Sequence, residues 1–155
     1  MEQVKITYKK LRDNAILPKA ATELSGGLDL VASNIEKVSE NEVIVYLGLA
    51  MQPPPGYMIR FSPRSSFTKY NWILQNSPTL GDADYTGEYM LRFRAIPVSY
   101  DDSFVYNGMM YDNFPYKVGD RVGQMWVEEI IPIEFEEGEL INLTNRNGGF
   151  GSTGK

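Results

Sequence analysis

Asp82 and Asp84 stand two residues apart in the stretch Asn76-Ser77-Pro78-Thr79-Leu80-Gly81-Asp82-Ala83-Asp84-Tyr85-Thr86-Gly87-Glu88. In an extended segment such a pair projects to one side, so one carboxylate could serve as a base while the other makes structural bonds. A type I turn rich in Asp would read the same way. The chain contains no histidine and no cysteine. That removes the imidazole base, the Ser-His-Asp triad, the thiolate nucleophile, disulfides and Cys-based zinc. Proton transfer near neutral pH then falls to Asp, Glu, Lys or Tyr. A divalent metal would be a hard ion such as Mg²⁺, held by oxygen atoms. Tyr85 adds a flat apolar face, and Asn76 adds both a donor and an acceptor.

Further segments share this mixture of glycine, small hydroxyls and isolated charge. Ala21-Thr22-Glu23-Leu24-Ser25-Gly26-Gly27-Leu28-Asp29-Leu30 sets Asp29 inside a strand-like apolar run, where an unpaired carboxylate is costly. Alone it reads either as an Asx-type turn or as a carboxylate aimed at a metal or its waters. Pro63-Arg64-Ser65-Ser66-Phe67 is either a solvated turn or a phosphate contact, for which the Arg fork is well suited. Gly119-Asp120-Arg121-Val122-Gly123-Gln124-Met125 is a turn that leads into a strand and brings Arg121 and Gln124 near its start. Gly148 to Lys155, GGFGSTGK, satisfies most of the phosphate-loop pattern without a helix to follow it. A frayed terminus is the alternative there. Phe150 between two glycines argues against it, because a disordered tail gains nothing from a large aromatic.

The elements that must position these residues read as β. Short runs rich in Val, Ile, Tyr and Phe recur at Val4–Tyr8, Leu28–Ala32, Val43–Leu47, Tyr57–Phe61, Tyr89–Ala95 and Arg121–Ile131. Gly, Pro and Asp turns separate them, the pattern of an all-β sandwich or barrel. The length of 155 residues fits one domain. Ile130, Ile131, Ile133 and Phe135 run through the acidic Glu128–Glu139, which predicts a final strand followed by an arm. The net charge of −5 disfavours a general nucleic-acid binder and an anionic membrane surface. No apolar run approaches a membrane span, and the first residues lack a signal-peptide core, so a cytoplasmic protein is expected.

In their order and spacing these five segments closely resemble the motifs of the trimeric deoxyuridine triphosphatase (dUTPase) family, from Ala21 to Gly154. The resemblance implies a jelly-roll-like β-barrel, with three identical chains building three shared active sites. It implies hydrolysis of dUTP to dUMP and pyrophosphate with Mg²⁺, which limits uracil in DNA and supplies dUMP for thymidylate synthesis. Residues 1–137 would form the barrel, and 138–155 an arm closing over a neighbouring subunit's site. By the same resemblance, Asp82 is the base that activates water, Tyr85 packs beneath the deoxyribose and Asn76 reads the uracil edge. Asp29 reaches Mg²⁺ through water, and Ser65 bonds the oxygen that leaves with pyrophosphate. Arg64, Ser66 and Gln124 contact phosphates, while Arg121 is structural. In the arm, Arg146 reaches the γ-phosphate, Phe150 lies over uracil, and Gly151, Ser152 and Thr153 surround the terminal phosphates.

The sequence departs from the family pattern in three places. Arg146-Asn147-Gly148-Gly149-Phe150 is one residue shorter than the usual arm motif. Gly81 replaces a bulky apolar residue before Asp82, which predicts a looser hairpin floor because Gly adds backbone freedom. An insertion near 99–116, SYDDSFVYNGMMYDNFPY, is either a surface hairpin turning at Asn107-Gly108 or a docking surface for a protein partner. Two alternatives stand beside the dUTP reading. One is a dCTP deaminase-type enzyme of the same fold, disfavoured because Phe67–Gly81 and Tyr89–Ala95 contain no Glu. The other is a regulatory binding protein acting through the 99–116 insertion.

Overall fold

The computed structural model describes residues 3–97, 113–141 and 143. In chain order the strands are β1 (Thr7–Lys10), β2 (Lys19–Ala20), β3 (Leu28–Val31), β4 (Asn34–Ser39), β5 (Glu42–Tyr46) and β6 (Leu49–Gln52). They continue with β7 (Tyr57–Ser62), β8 (Trp72–Leu74), β9 (Thr79–Gly81), β10 (Met90–Ala95) and β11 (Arg121–Glu129). A 3-10 turn, Ser65–Lys69, lies between β7 and β8. All pairings are antiparallel. One sheet has the order β4-β5-β10-β8, a second β2-β3-β11-β7-β9, and β1 pairs with β6 as a separate ribbon.

Alternation explains how the two larger sheets close on each other. In β10, Leu91, Phe93 and Ala95 are buried while Met90, Arg92 and Arg94 face outward, the period-two pattern of a half-buried strand. Val43 and Val45 repeat it in β5. Leu30, Ile59, Phe61, Val122 and Met125 from the second sheet join the same core. Phe67, from the 3-10 turn, packs on Phe93 with ring centroids 4.9 Å apart. Each such ring removed from water contributes about 1.5–3 kcal/mol, so the core also anchors the turn that carries Ser65 and Ser66.

Three sequence expectations change in detail. The first strand lies at Thr7–Lys10 rather than Val4–Tyr8, because its partner is the ribbon strand β6, in the register Thr7 to Gln52. The last strand stops at Glu129, where its pairing with Tyr57 of β7 runs out. Residues 130–141 then carry no regular structure, and Ile131, Ile133, Phe135, Leu140 and Ile141 stay exposed. The 99–116 stretch was expected at the surface, yet its last residues, Phe114 and Tyr116, are half-buried against the core. Tyr116 stacks on Phe67 at 5.6 Å, and Phe114 meets Trp72 and Phe93. Those two aromatics are therefore occupied; the Asn107-Gly108 turn lies outside the described residues.

Candidate active site

Asp29 lies in β3, 5 % exposed, and collects three donors. Arg64 Nε donates to Oδ1 at 3.2 Å, Gln124 Nε2 to the same oxygen at 3.3 Å, and an Arg121 terminal nitrogen to Oδ2 at 3.0 Å. A regular strand would send residues 121 and 124 to opposite faces. Here β11 shifts register between Arg121 and Gly123, and this bulge turns both side chains onto Asp29. Gly123 sits at the close approach, since a Cβ there would lie 2.8 Å from Leu91 and 3.0 Å from the Ser62 carbonyl. Asp29 is thus a paired strand residue, not an Asx turn, and the buried carboxylate is compensated by two guanidinium groups.

Asp82 lies just beyond β9, whose register with β7 carries it away from Ser62, the residue paired with Gln124 beside Asp29. The Tyr85 N–H donates to the Asp82 carbonyl at 3.2 Å, so Asp82–Tyr85 is a turn and the extended Asp82/Asp84 pair does not form. The turn is tied down at several points. Gln52 Nε2 of the ribbon donates to the Ala83 carbonyl at 2.7 Å, and Tyr85 Oη donates to the Glu88 carbonyl at 3.0 Å. Glu88 accepts both nitrogens of the Arg12 fork, at 3.0 and 3.2 Å, and the Gly48 N–H at 2.9 Å. Through that bond Glu88 holds the Arg12 guanidinium above its ordinary pKa. Asp82 itself stays exposed at a pocket of about 180 Å³, lined by Thr79, Leu80, Tyr85, Glu88, Tyr89 and Met90.

Beneath this turn the expectation about Gly81 is corrected. Gly81 is buried in β9 and paired with Ile59, and the ring of Tyr89 fills the space where a side chain would go. The floor is packed, not loosened. Tyr89 is 5 % exposed, and burial first, then the neighbouring Tyr85 and Asp82, push its phenol up to about 12.

Ser65 opens the 3-10 turn and is exposed; Ser66 is half-buried beside it. Asn76 is exposed and its carbonyl accepts the Thr79 hydroxyl, which closes the approach to β9. Arg146, Phe150, Gly151, Ser152 and Thr153 lie outside the described residues. The structure therefore gathers the predicted residues into two groups: Asp29 with Arg64, Arg121 and Gln124, and Asp82 with Tyr85. Arg12, Gln52 and Tyr89 were not singled out from sequence. For Arg12 and Gln52 the signal is a spatial pairing across 76 and 31 residues, which no local spacing encodes, and for Tyr89 it is a packing contact with Gly81 and Tyr85.

Antiparallel sheets that bring polar loops to the strand ends around one apolar core define a jelly-roll-like all-β fold with two separated clusters of polar side chains. The chain belongs to the dUTPase family, whose model matches residues 13–154. It is 34 % identical to a deoxyuridine 5'-triphosphate nucleotidohydrolase of Hydrogenobaculum sp. over 155 residues, covering 97 % of this chain and 99 % of that one. It is 33 % identical to the protein of that name from Helicobacter pylori, covering 97 % of each. Among solved structures, a Staphylococcus bacteriophage 80alpha dUTPase with dUPNHPP superposes with a TM-score of 0.73 at 19 % identity, covering 97 % of this chain and 98 % of that one. At that identity the likeness speaks for the fold.

Proposed function

We propose that the protein hydrolyses dUTP to dUMP and pyrophosphate, with Asp82 as the base. The observation that carries this reading is the hairpin: an exposed carboxylate at an open pocket, on a turn clamped by Gln52, Tyr85 and Glu88, with Tyr85 presented beside it. Asp82 takes a proton from water, whose oxygen attacks the α-phosphorus. The bond to the oxygen bridging the α- and β-phosphorus breaks, and pyrophosphate leaves. Ser65 bonds that oxygen as its charge develops. Arg64, Ser66 and Gln124 contact the phosphates, Tyr85 excludes a 2′-hydroxyl and Asn76 reads the base edge. Both Glu88 oxygens are occupied by Arg12 and one of them also by Gly48, which leaves a deaminase-type shuttle without a free glutamate in this hairpin.

Asp82 and Ser65 must approach the same phosphorus, and one chain does not bring them there. Gly81 pairs with Ile59 and β9 then leads to Asp82, whereas β7 runs the opposite way from Ile59 to Ser62 and on to Arg64 and Ser65. That stretch of β7 alone covers about 10 Å, beyond the roughly 3 Å reach of a proton transfer or hydrogen bond. This favours an oligomer in which a second copy supplies the phosphate loop; membership of the dUTPase family supports reading it as a homotrimer, with residues 138–155 as an arm that reaches a neighbour.

Mg²⁺ fits only at arm's length. Among the described residues no three acidic side chains are grouped to hold a metal. Asp29 has about four acceptor positions, and Arg64, Gln124 and Arg121 use three. The remaining position on Oδ2 suits a metal-bound water, not a direct ligand bond. Bound to the triphosphate, Mg²⁺ would neutralise its charge and keep several waters.

The test is pyrophosphate release from dUTP, dTTP, dCTP and UTP with Mg²⁺, by the wild type and Asp82→Asn. Turnover of dUTP alone, lost in the variant, is expected. A folded wild type that turns over none of them would overturn the reading, and ammonia release from dCTP would replace it with deamination.

A further inference from the structure

Two tyrosines and two glycines interlock under the Asp82 turn. A Cβ on Gly81 would lie 2.5 Å from Tyr89 Oη, 2.8 Å from Cε1 and 3.0 Å from Cζ. The backbone there cannot retreat, since Gly81 is paired with Ile59. Nor can the ring. It lies against Phe61 with centroids 5.0 Å apart, and its other neighbour is Tyr85 at 5.1 Å and 69°, an edge contact. Tyr85 repeats the device one turn on, because a Cβ on Gly87 would lie 2.5 Å from its Oη. Its tip is bonded to the Glu88 carbonyl, which leaves the edge contact with Tyr89 to fix the tilt of the ring. The Tyr89 hydroxyl has no partner among the described residues. What this site uses of Tyr89 is therefore its volume and its flat side, not its donor.

We propose that Tyr89 is a positioning residue for sugar selection: its ring, admitted by Gly81, sets the height of the Tyr85 ring and so how strongly ribonucleoside triphosphates are rejected. The proposal rests on the dUTP-hydrolysing reading above. A pocket wall rejects an added hydroxyl by only about 100-fold, so a small displacement of Tyr85 removes a large part of it. Tyr89→Leu leaves the space beside Tyr85 unfilled. Gly81→Ala drives the Tyr89 ring outward from below. Both should shift Tyr85, whereas Tyr89→Phe keeps the ring.

The experiment compares kcat/KM for UTP and dUTP across the wild type, Tyr89→Phe, Tyr89→Leu, Gly81→Ala and the double variant Gly81→Ala/Tyr89→Leu. The UTP to dUTP ratio should rise about tenfold in Tyr89→Leu and in Gly81→Ala, and stay within about twofold in Tyr89→Phe. The double variant should lie closer to the wild type than Gly81→Ala does, since the clash is gone. A core residue with no positioning role would lower kcat/KM for both substrates together and leave the ratio unmoved; that result overturns the proposal. Should Tyr89→Leu not fold, Gly81→Ala carries the same decision. Failure of the underlying reading is separable, because then the wild type also leaves dUTP intact.

Discussion

The guanidinium of Arg12 and the carboxylate of Glu88, 76 residues apart in the chain, meet as a two-bond fork at 3.0 and 3.2 Å. Oε1 of Glu88 also accepts the Gly48 N–H at 2.9 Å. This joins the end of the Asp82 hairpin to the loop before β6 and to the segment after β1. Gln52, in β6, holds the Ala83 carbonyl from the same side. The Asp82 turn is therefore held from β6 and from the segments that flank the β1–β6 ribbon, in addition to the strand that leads into it.

That relationship gives the first prediction. Glu88→Gln keeps the shape but loses the charge that both Arg12 nitrogens contact. Turnover of dUTP should fall at least about tenfold, given that a misplacement of about 1 Å can cost 100-fold. Gln52→Ala should act in the same direction, more weakly. Steady-state kinetics with circular dichroism decides it: a folded Glu88→Gln enzyme with full kcat would show that the clamp does not aim Asp82.

Asp29 gives the second prediction. Asp29→Asn removes the counter-charge of Arg64, whose side chain is 25 % exposed, and of Arg121, 53 % exposed. Breaking a buried pair costs about 3–5 kcal/mol. The half-exposed Arg121 recovers water, so a loss of about 2–3 kcal/mol is expected. Arg121→Ala should cost about 1 kcal/mol, because Arg64 and Gln124 still satisfy the carboxylate. Urea unfolding midpoints measure both; equal losses would mean that Arg121 alone compensates the Asp29 carboxylate and that Arg64 and Gln124 do not hold it without Arg121.

How much of this was legible in the sequence depends on the range of the signal. The short apolar or alternating runs at Leu28–Ala32, Val43–Leu47, Tyr57–Phe61 and Tyr89–Ala95 became strands because β-forming residues and, most fully in β10, burial on one face are written locally. β2, β4, β6, β8 and β9 were not read. β2, β8 and β9 are two or three residues long and exist by pairing with β3, β10 and β7. β4, exposed along most of its length, and the four-residue β6 exist by pairing with β5 and β1. In the site, residue types and order pointed to Asp29, Arg64, Gln124, Asp82 and Tyr85. That Arg121 and Gln124 converge on one carboxylate depends on a bulge. That Gly81 tightens the floor depends on a tyrosine eight positions later, so reading the glycine alone gave the wrong sign.

Opposite directions of β7 and β9 give the third prediction. If Asp82 of one chain works with Ser65 of another, Asp82→Asn and Ser65→Ala proteins are each inactive alone. Mixed, unfolded together and refolded, they should regain a substantial fraction of the wild-type rate, because some sites then pair an intact Asp82 with an intact Ser65. Pyrophosphate release from the mixture reads this directly. Activity that stays at the level of the separate variants, in a mixture shown to contain mixed oligomers, would place both residues in one chain's site.

Tyr89 gives the fourth prediction, through pH. An exposed phenol ionises near pH 10, and the fold raises that of Tyr89 to about 12, by burial above all. The folded state then holds the proton more tightly than the unfolded one. Its stabilising share is complete below about pH 10 and is lost as pH rises through about 12. Tyr46, whose phenol donates to Glu36, is also raised, so the wild-type curve alone does not isolate one residue. The difference between wild type and Tyr89→Phe does. At about pH 8 the variant should be equal or more stable by about 1 kcal/mol, because the hydroxyl it loses is buried without a partner among the described residues. Above about pH 10 its advantage should widen, since it has no phenol to ionise at that position. Urea midpoints of the two proteins taken from about pH 8 to about pH 11.5 measure the gap. A gap that stays constant across that range would mean that Tyr89 ionises as freely folded as unfolded, and that the space beneath Asp82 is open to water.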